Sequence, residues 1–114
     1  MRRLRFVALL CAMPAILGCR SHVIQVTLVN TSDQPVSTII VDYPGATFGV
    51  NQLTPGKTFA YRIKPLETGP LKVQYTDAQG TIHQYLGLSL HKNNEGSIDV
   101  KLSQQSATVS GSLR

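Results

Sequence analysis

From residue 22 onward, apolar and polar side chains alternate with a period of two in short runs, and no stretch beyond residue 19 sustains the i, i+3, i+4, i+7 spacing of an amphipathic helix. Alternation of this kind sends one face of a strand to a core and the other to water. The pattern predicts six main strands, over residues 22–30, 36–43, 57–63, 70–76, 81–90 and 97–103, with a short seventh around 47–51. Turn chemistry separates them: Asn30-Thr31-Ser32-Asp33-Gln34-Pro35, Tyr43-Pro44-Gly45, Leu53-Thr54-Pro55-Gly56, Asp77-Ala78-Gln79-Gly80 and Asn93-Asn94-Glu95-Gly96. Parity then sets expected pairings. An even loop at 77–80 opposes Tyr75 to Ile82 and Leu71 to Leu86, and an even connection after the first strand opposes Leu28 to Ile39 and Val26 to Val41, turning Asp42 to water. An odd, bulged connection before the sixth strand opposes Leu88 to Val100 and Leu86 to Leu102. These inward positions, with Tyr61 and Phe59 among them, suffice for a small antiparallel two-sheet β-sandwich of six to seven strands, immunoglobulin-like or related. The domain from 22 to 103 has no Trp and no Cys, so the antibody-type signature is missing. Residues 104–114, rich in Ser and Gln, read as a flexible tail in which 107–109 could add to an edge strand.

The first residues follow a different pattern. Met1–Arg5 carries three arginines, and Phe6–Leu17 is an uncharged, mostly apolar run of 12 residues. As a helix that run would span about 18 Å against a hydrocarbon core of about 30 Å, and Pro14 interrupts it. A basic start followed by a short apolar run is the layout of an export signal rather than of a membrane span. The run ends Ile16-Leu17-Gly18-Cys19.

That ending resembles the lipobox of bacterial lipoproteins: an aliphatic residue, a small or short aliphatic residue, Gly or Ala, then Cys. The resemblance implies a signal peptide over 1–18, cleavage between Gly18 and Cys19, and diacylglycerol on the Cys19 thiol, with 19–21 as a lipidated tether. A thiol supplies the soft nucleophile that thioether formation needs, and a small Gly18 lets a protease reach the bond. Two or three acyl chains hold a protein on a membrane essentially permanently. Arg20 follows the cysteine where Asp would signal inner-membrane retention, so in a host with two membranes the resemblance implies an outer-membrane lipoprotein facing the periplasm. Cys11 leaves with the signal, so Cys19 has no partner for a disulfide.

Composition changes meaning in this light. The chain of 114 residues carries 11 Lys and Arg against 6 Asp and Glu, a net charge of +5, but removal of Arg2, Arg3 and Arg5 leaves an excess of only two. Nucleic acid is therefore not an expected partner. The candidate chemistry is sparse. His83 and His91 stand eight residues apart on one expected strand, about 26 Å if extended, too far to share a metal, and His22 could meet His83 only through the tertiary fold. No Gly-x-Ser-x-Gly elbow is present, and Glu67 and Glu95 sit in separate loops. No metal, cofactor or catalytic set is expected. The outward strip Lys72, Gln74, His83 and Tyr85 offers a polar-aromatic face for an envelope protein or glycan, and Phe48, in a Gly-containing loop, either anchors a partner or plugs one end of the sandwich. The sequence thus points to a monomeric, lipid-anchored, non-enzymatic binding or scaffolding module. The alternatives are a small periplasmic enzyme or metal-handling protein, marked by convergence of two of His22, His83, His91, Glu67 and Glu95 in a pocket, and a secreted or surface recognition module.

Overall fold

The computed structural model describes residues 22–114, so Gly18 and Cys19 lie outside the described residues. Eight strands form: β1 (Ile24–Asn30), β2 (Val36–Tyr43), β3 (Ala46–Leu53), β4 (Thr58–Ile63), β5 (Gly69–Thr76), β6 (Ile82–Leu90), β7 (Gly96–Leu102) and β8 (Ala107–Leu113). No helix occurs among the described residues. The strands make two four-stranded sheets, one in the order β4-β1-β7-β8 and the other β3-β2-β5-β6. All pairings are antiparallel except β1 with β7, which is parallel. One apolar cluster drawn from both sheets fills the space between them, including Ile24, Val26, Leu28, Ile39, Val41, Leu71, Val73, Tyr75, Ile98, Val100 and Leu102. Each fully buried aliphatic side chain contributes about 1.5–3 kcal/mol of transfer free energy.

The all-β, two-sheet expectation holds, and its details change. The short seventh strand is a full eight-residue β3, and the supposed tail supplies β8, which pairs with β7 along its whole length. The strand count is therefore eight rather than six or seven. The connections after β1 and after β6 cross between sheets, so Val26 and Leu28 face β4 and β7 as sheet neighbours and not β2, while Leu88 does not pair with Val100. Parity cannot distinguish a hairpin from a crossing, because both bring the same apolar residues inward.

The hairpin β5–β6 is real but shifted by one residue: Thr76 opposes Ile82, Tyr75 opposes His83 and Val73 opposes Tyr85. The cause lies in Asp77, whose Oδ1 accepts hydrogen bonds from the backbone N–H groups of Gln79 and Thr81 at 2.9 Å each, while its own N–H donates to the Thr81 carbonyl. This Asx-type closure absorbs Thr81 into the loop and makes the loop odd. Ile82 and Leu86 consequently stand 59% and 67% exposed rather than in the core. Alternation recovers at a bulge near Leu88, which adopts a φ of 50°, so that Leu90 returns inside. A second bulge at Thr38, also with a φ of 50°, sends both Val36 and Ile39 inward, three residues apart. Tyr61, expected inside, is 42% exposed.

Candidate functional site

The strands run between two ends. At the near end, where residue 22 joins the sheets, lie the loops after β2, β4 and β6; the loops after β1, β3, β5 and β7 close the far end. Between the ends, the outer face of β2-β5-β6 carries two rows of side chains in register. Asp42 opposes Lys72, which opposes Leu86; Ile40 opposes Gln74, which opposes Gln84. The rows border an open groove of about 350 Å³, also lined by Val73 and Tyr85. The Gln84 side-chain amide donates to Gln74 Oε1 at 2.9 Å, and Lys72 Nζ lies 3.9 Å from Asp42 Oδ2, both side chains half exposed. Thr47 donates to Asp42 Oδ1 at 3.0 Å. An ion pair so exposed contributes little stability, which leaves Lys72 and Asp42 able to exchange each other for an incoming partner. The groove therefore combines aliphatic surface from Ile40 and Leu86 with a paired amide and a loosely held ion pair.

Of the strip expected from sequence, Lys72 and Gln74 stand on this face and Tyr85 reaches its lining while packing partly against the core. His83 does not join them. The one-residue register shift turns it inward, where its ring stacks on Tyr75 with centroids 5.1 Å apart and its Nε2 donates to Asp77 Oδ2 at 2.8 Å. That hydrogen bond is the main reason the Asp77 carboxyl titrates below its ordinary value, against an opposing effect of burial and with help from the N–H groups of Thr81 and Gln79. Burial pushes the Tyr75 hydroxyl up, and it donates to the Ser103 carbonyl at 2.8 Å. Asp77, His83 and Tyr75 thus satisfy one another and the chain.

Phe48 is buried on β3, not exposed in a loop, and stacks on Tyr61 at 4.3 Å with Phe59 at 6.3 Å, closing the side of the core between edge strands β3 and β4. Of the two placements the sequence leaves open, the ring is the buried one, at the side of the core and not at one end. His22 Nδ1 lies 3.2 Å from Glu95 Oε2, which brings two of the residues weighed as an enzyme or metal set together, but at an exposed end and outside the groove. His91 meets Thr68 at 3.4 Å, and Glu67 borders a second, more open depression with Tyr43, Pro44 and Lys72. Among the described residues, no three His, Cys, Asp or Glu side chains gather as a metal would require. Ile40, Gln84 and Leu86 were not among the sequence candidates. For Gln84 and Leu86 the signal that could have found them was Asp77 itself, since an Asp opening a Gly-containing loop can cap that loop and change its parity; Ile40 already followed from the inward positions of Ile39 and Val41.

No family model and no curated protein matches this chain. Among solved structures, it is similar to an NMR structure of a protein from Eubacterium rectale, with a TM-score of 0.60 and 15% identity over 81% of this chain and 94% of that one. A crystal structure of a proposed cell adhesion protein from Bacteroides uniformis aligns with a TM-score of 0.48 and 8% identity, over 82% of this chain and half of that one. The first likeness speaks to the fold alone.

Proposed function

We propose that the protein is a lipid-anchored, non-enzymatic module of a bacterial envelope, held through Cys19 and offering the outer groove of β2-β5-β6 to an envelope protein. The observation that carries this reading is the groove's surface: Leu86 is 67% exposed beside Ile40, flanked by the Gln74–Gln84 pair and the Lys72–Asp42 pair. A large aliphatic side chain standing in water next to hydrogen-bonding groups suits the core and rim of a protein interface. The Ile16-Leu17-Gly18-Cys19 pattern supports the anchor, and Arg20 supports the outer membrane of a two-membrane host. The two-sheet architecture supports an immunoglobulin-related sandwich.

Two measurements on the full chain in a bacterial host test the reading. The wild type should incorporate palmitate and partition into detergent, and Cys19→Ala should do neither; equal labelling of both would remove the anchor. Crosslinking from intact envelopes should capture a partner that Lys72→Glu combined with Leu86→Glu loses by about tenfold or more, the equivalent of roughly 1.4 kcal/mol. Both side chains are exposed, so the double variant should melt with the wild type. Undiminished capture by it would remove the groove, and capture of polysaccharide alone would replace the protein partner by a glycan.

A further inference from the structure

Contacts knit the near end into one surface. His22 and Arg114 both reach Glu95, at 3.2 and 3.9 Å, and the backbones of Glu95 and Arg114 exchange two hydrogen bonds. Gly96 donates to the Val23 carbonyl, His91 meets Thr68, and Leu66 donates its N–H to the Pro44 carbonyl at 3.0 Å. Leu66 is held over Gly45, whose φ is +104° and whose place would bring an added Cβ to 2.8 Å from the Leu66 side chain. That leucine is 63% exposed.

Charge is divided unevenly along the domain. Arg62, Lys64, Lys92 and Arg114 stand toward the near end against Glu67 and Glu95, whereas the remainder holds Lys57, Lys72 and Lys101 against Asp33, Asp42, Asp77 and Asp99. The near end is thus net positive and the rest net negative.

We infer that the near end rests on the phosphate-bearing headgroups of the bilayer that holds Cys19, with Lys64, Lys92 and Arg114 set against the phosphates and Leu66 entering the interface. The inference rests on the lipidation proposed above. From an acylated Cys19 to His22 there are three residue steps, and an extended chain covers at most about 3.6 Å per step, so His22 stays within roughly 11 Å of the acylated residue. That reach is comparable with the screening length of about 8 Å at physiological ionic strength, so the cations of this end feel the headgroup charge. An exposed aliphatic side chain amid Lys and Arg is the pairing that interfacial binding uses. The strands then stand away from the membrane, the groove of β2-β5-β6 faces sideways along it, and the far end with Asp33 and Asp77 points outward.

The test uses the lipidated full chain, purified from its bacterial host and reconstituted into vesicles of phosphatidylethanolamine and phosphatidylglycerol that carry a quencher on the headgroup. One fluorophore is placed at Leu66→Cys or, at the far end, at Gln79→Cys, the Cys19 thiol being occupied by lipid. The far end is a seven-residue strand away, about 23 Å, so quenching at 66 should exceed that at 79 by about threefold or more. Adding Lys64→Glu and Lys92→Glu should bring quenching at 66 down toward the value at 79. Equal quenching at the two sites, or quenching at 66 that ignores the charge reversal, would overturn the docking while palmitate labelling still upheld the anchor. Failure of the wild type to take up palmitate would overturn both.

Discussion

The two ends of the domain are built from opposite materials. At the far end polar side chains are buried and bonded: Asn30 is fully buried, its amide donates to the carbonyls of Gln34 and Leu53 at 2.8 and 3.0 Å, and its Oδ1 accepts from the N–H and hydroxyl of Ser32. Gln104 adds a second knot, donating to Ser32, Gln34 and Pro35 and accepting from the Ala78 N–H. The far end therefore links the loops after β1, β3, β5 and β7 through side chains. At the near end the side-chain contacts lie at the surface, as ion pairs of His22 and Arg114 with Glu95 and hydrogen bonds of His91 with Thr68 and of Asn94 with Arg114, and an apolar side chain stands in water. A fixed end and a soft, charged end are what a tethered domain needs if the tethered end must adapt to a surface and the other must keep its shape. Buried polar groups cost several kcal/mol if left unpaired, so a satisfied knot fixes loop geometry where apolar contacts alone would allow alternatives.

The comparison is most sharply tested at Asn30. Asn30→Ala strips the partners of two buried or part-buried carbonyls and of the Ser32 N–H, and should cost about 2–4 kcal/mol of a total of about 5–15. Urea unfolding of the variant against the wild type measures it. A loss under about 1 kcal/mol would show that water replaces the amide readily and that the far end is not the fixed one.

How much of this was legible in the sequence follows from what period-2 alternation encodes. It encodes which residues face inward, and Ile24, Val26, Leu28, Ile39, Val41, Leu71, Val73, Tyr75, Ile98, Val100 and Leu102 are all buried as read. It does not encode which strand is the neighbour, so β1 was paired with β2 although they lie in different sheets. Loop capping by one side chain was equally hidden: Asp77 moved the register of β6 by one, took His83 out of the expected binding strip and put Leu86 in. Val36, Phe48 and Leu53 were missing from the expected core because a bulge at Thr38 and a polar, Gly-containing β3 blur the alternation there. The knot at Asn30 and Gln104 left no pattern at all, since both residues sit in segments whose composition reads as turn or tail. The anchor proposed at Cys19 is read from the Ile16-Leu17-Gly18-Cys19 pattern.

A smaller effect separates the ends by pH. The Asp77 carboxyl is held below its ordinary value of 3.8, chiefly by the hydrogen bond from His83. A folded-state value lower than the unfolded one means that the unfolded chain takes up the proton first as pH falls. The contribution of Asp77 is therefore complete above about pH 4 to 5, and is lost as pH drops through the folded value. The melting temperature of the wild type should fall between pH 5 and pH 3 by more than that of Asp77→Asn, followed by circular dichroism across that window (about two units around the ordinary carboxylate range). Parallel pH profiles for the two proteins would mean that the capped loop of the far end carries no share of the acid sensitivity.

The smallest effect belongs to the near end, at Leu66. Most of this side chain is in water, and the bond from its N–H to the Pro44 carbonyl is made by the backbone, which a substitution leaves in place. Leu66→Ala removes the atoms that cover Gly45 without opening a buried cavity, so the change in unfolding free energy should stay within about 0.5 kcal/mol, the range of ordinary surface substitutions. The same urea titration used for Asn30→Ala measures it on the same scale. A loss of 2 kcal/mol or more, roughly what truncating a buried leucine costs, would mean that Leu66 is a structural lid for the Pro44–Gly45 turn, and the contrast between a fixed end and a soft one would collapse. A value near zero leaves an exposed leucine that stability does not explain, beside Lys64 and at the end where the chain arrives from Cys19.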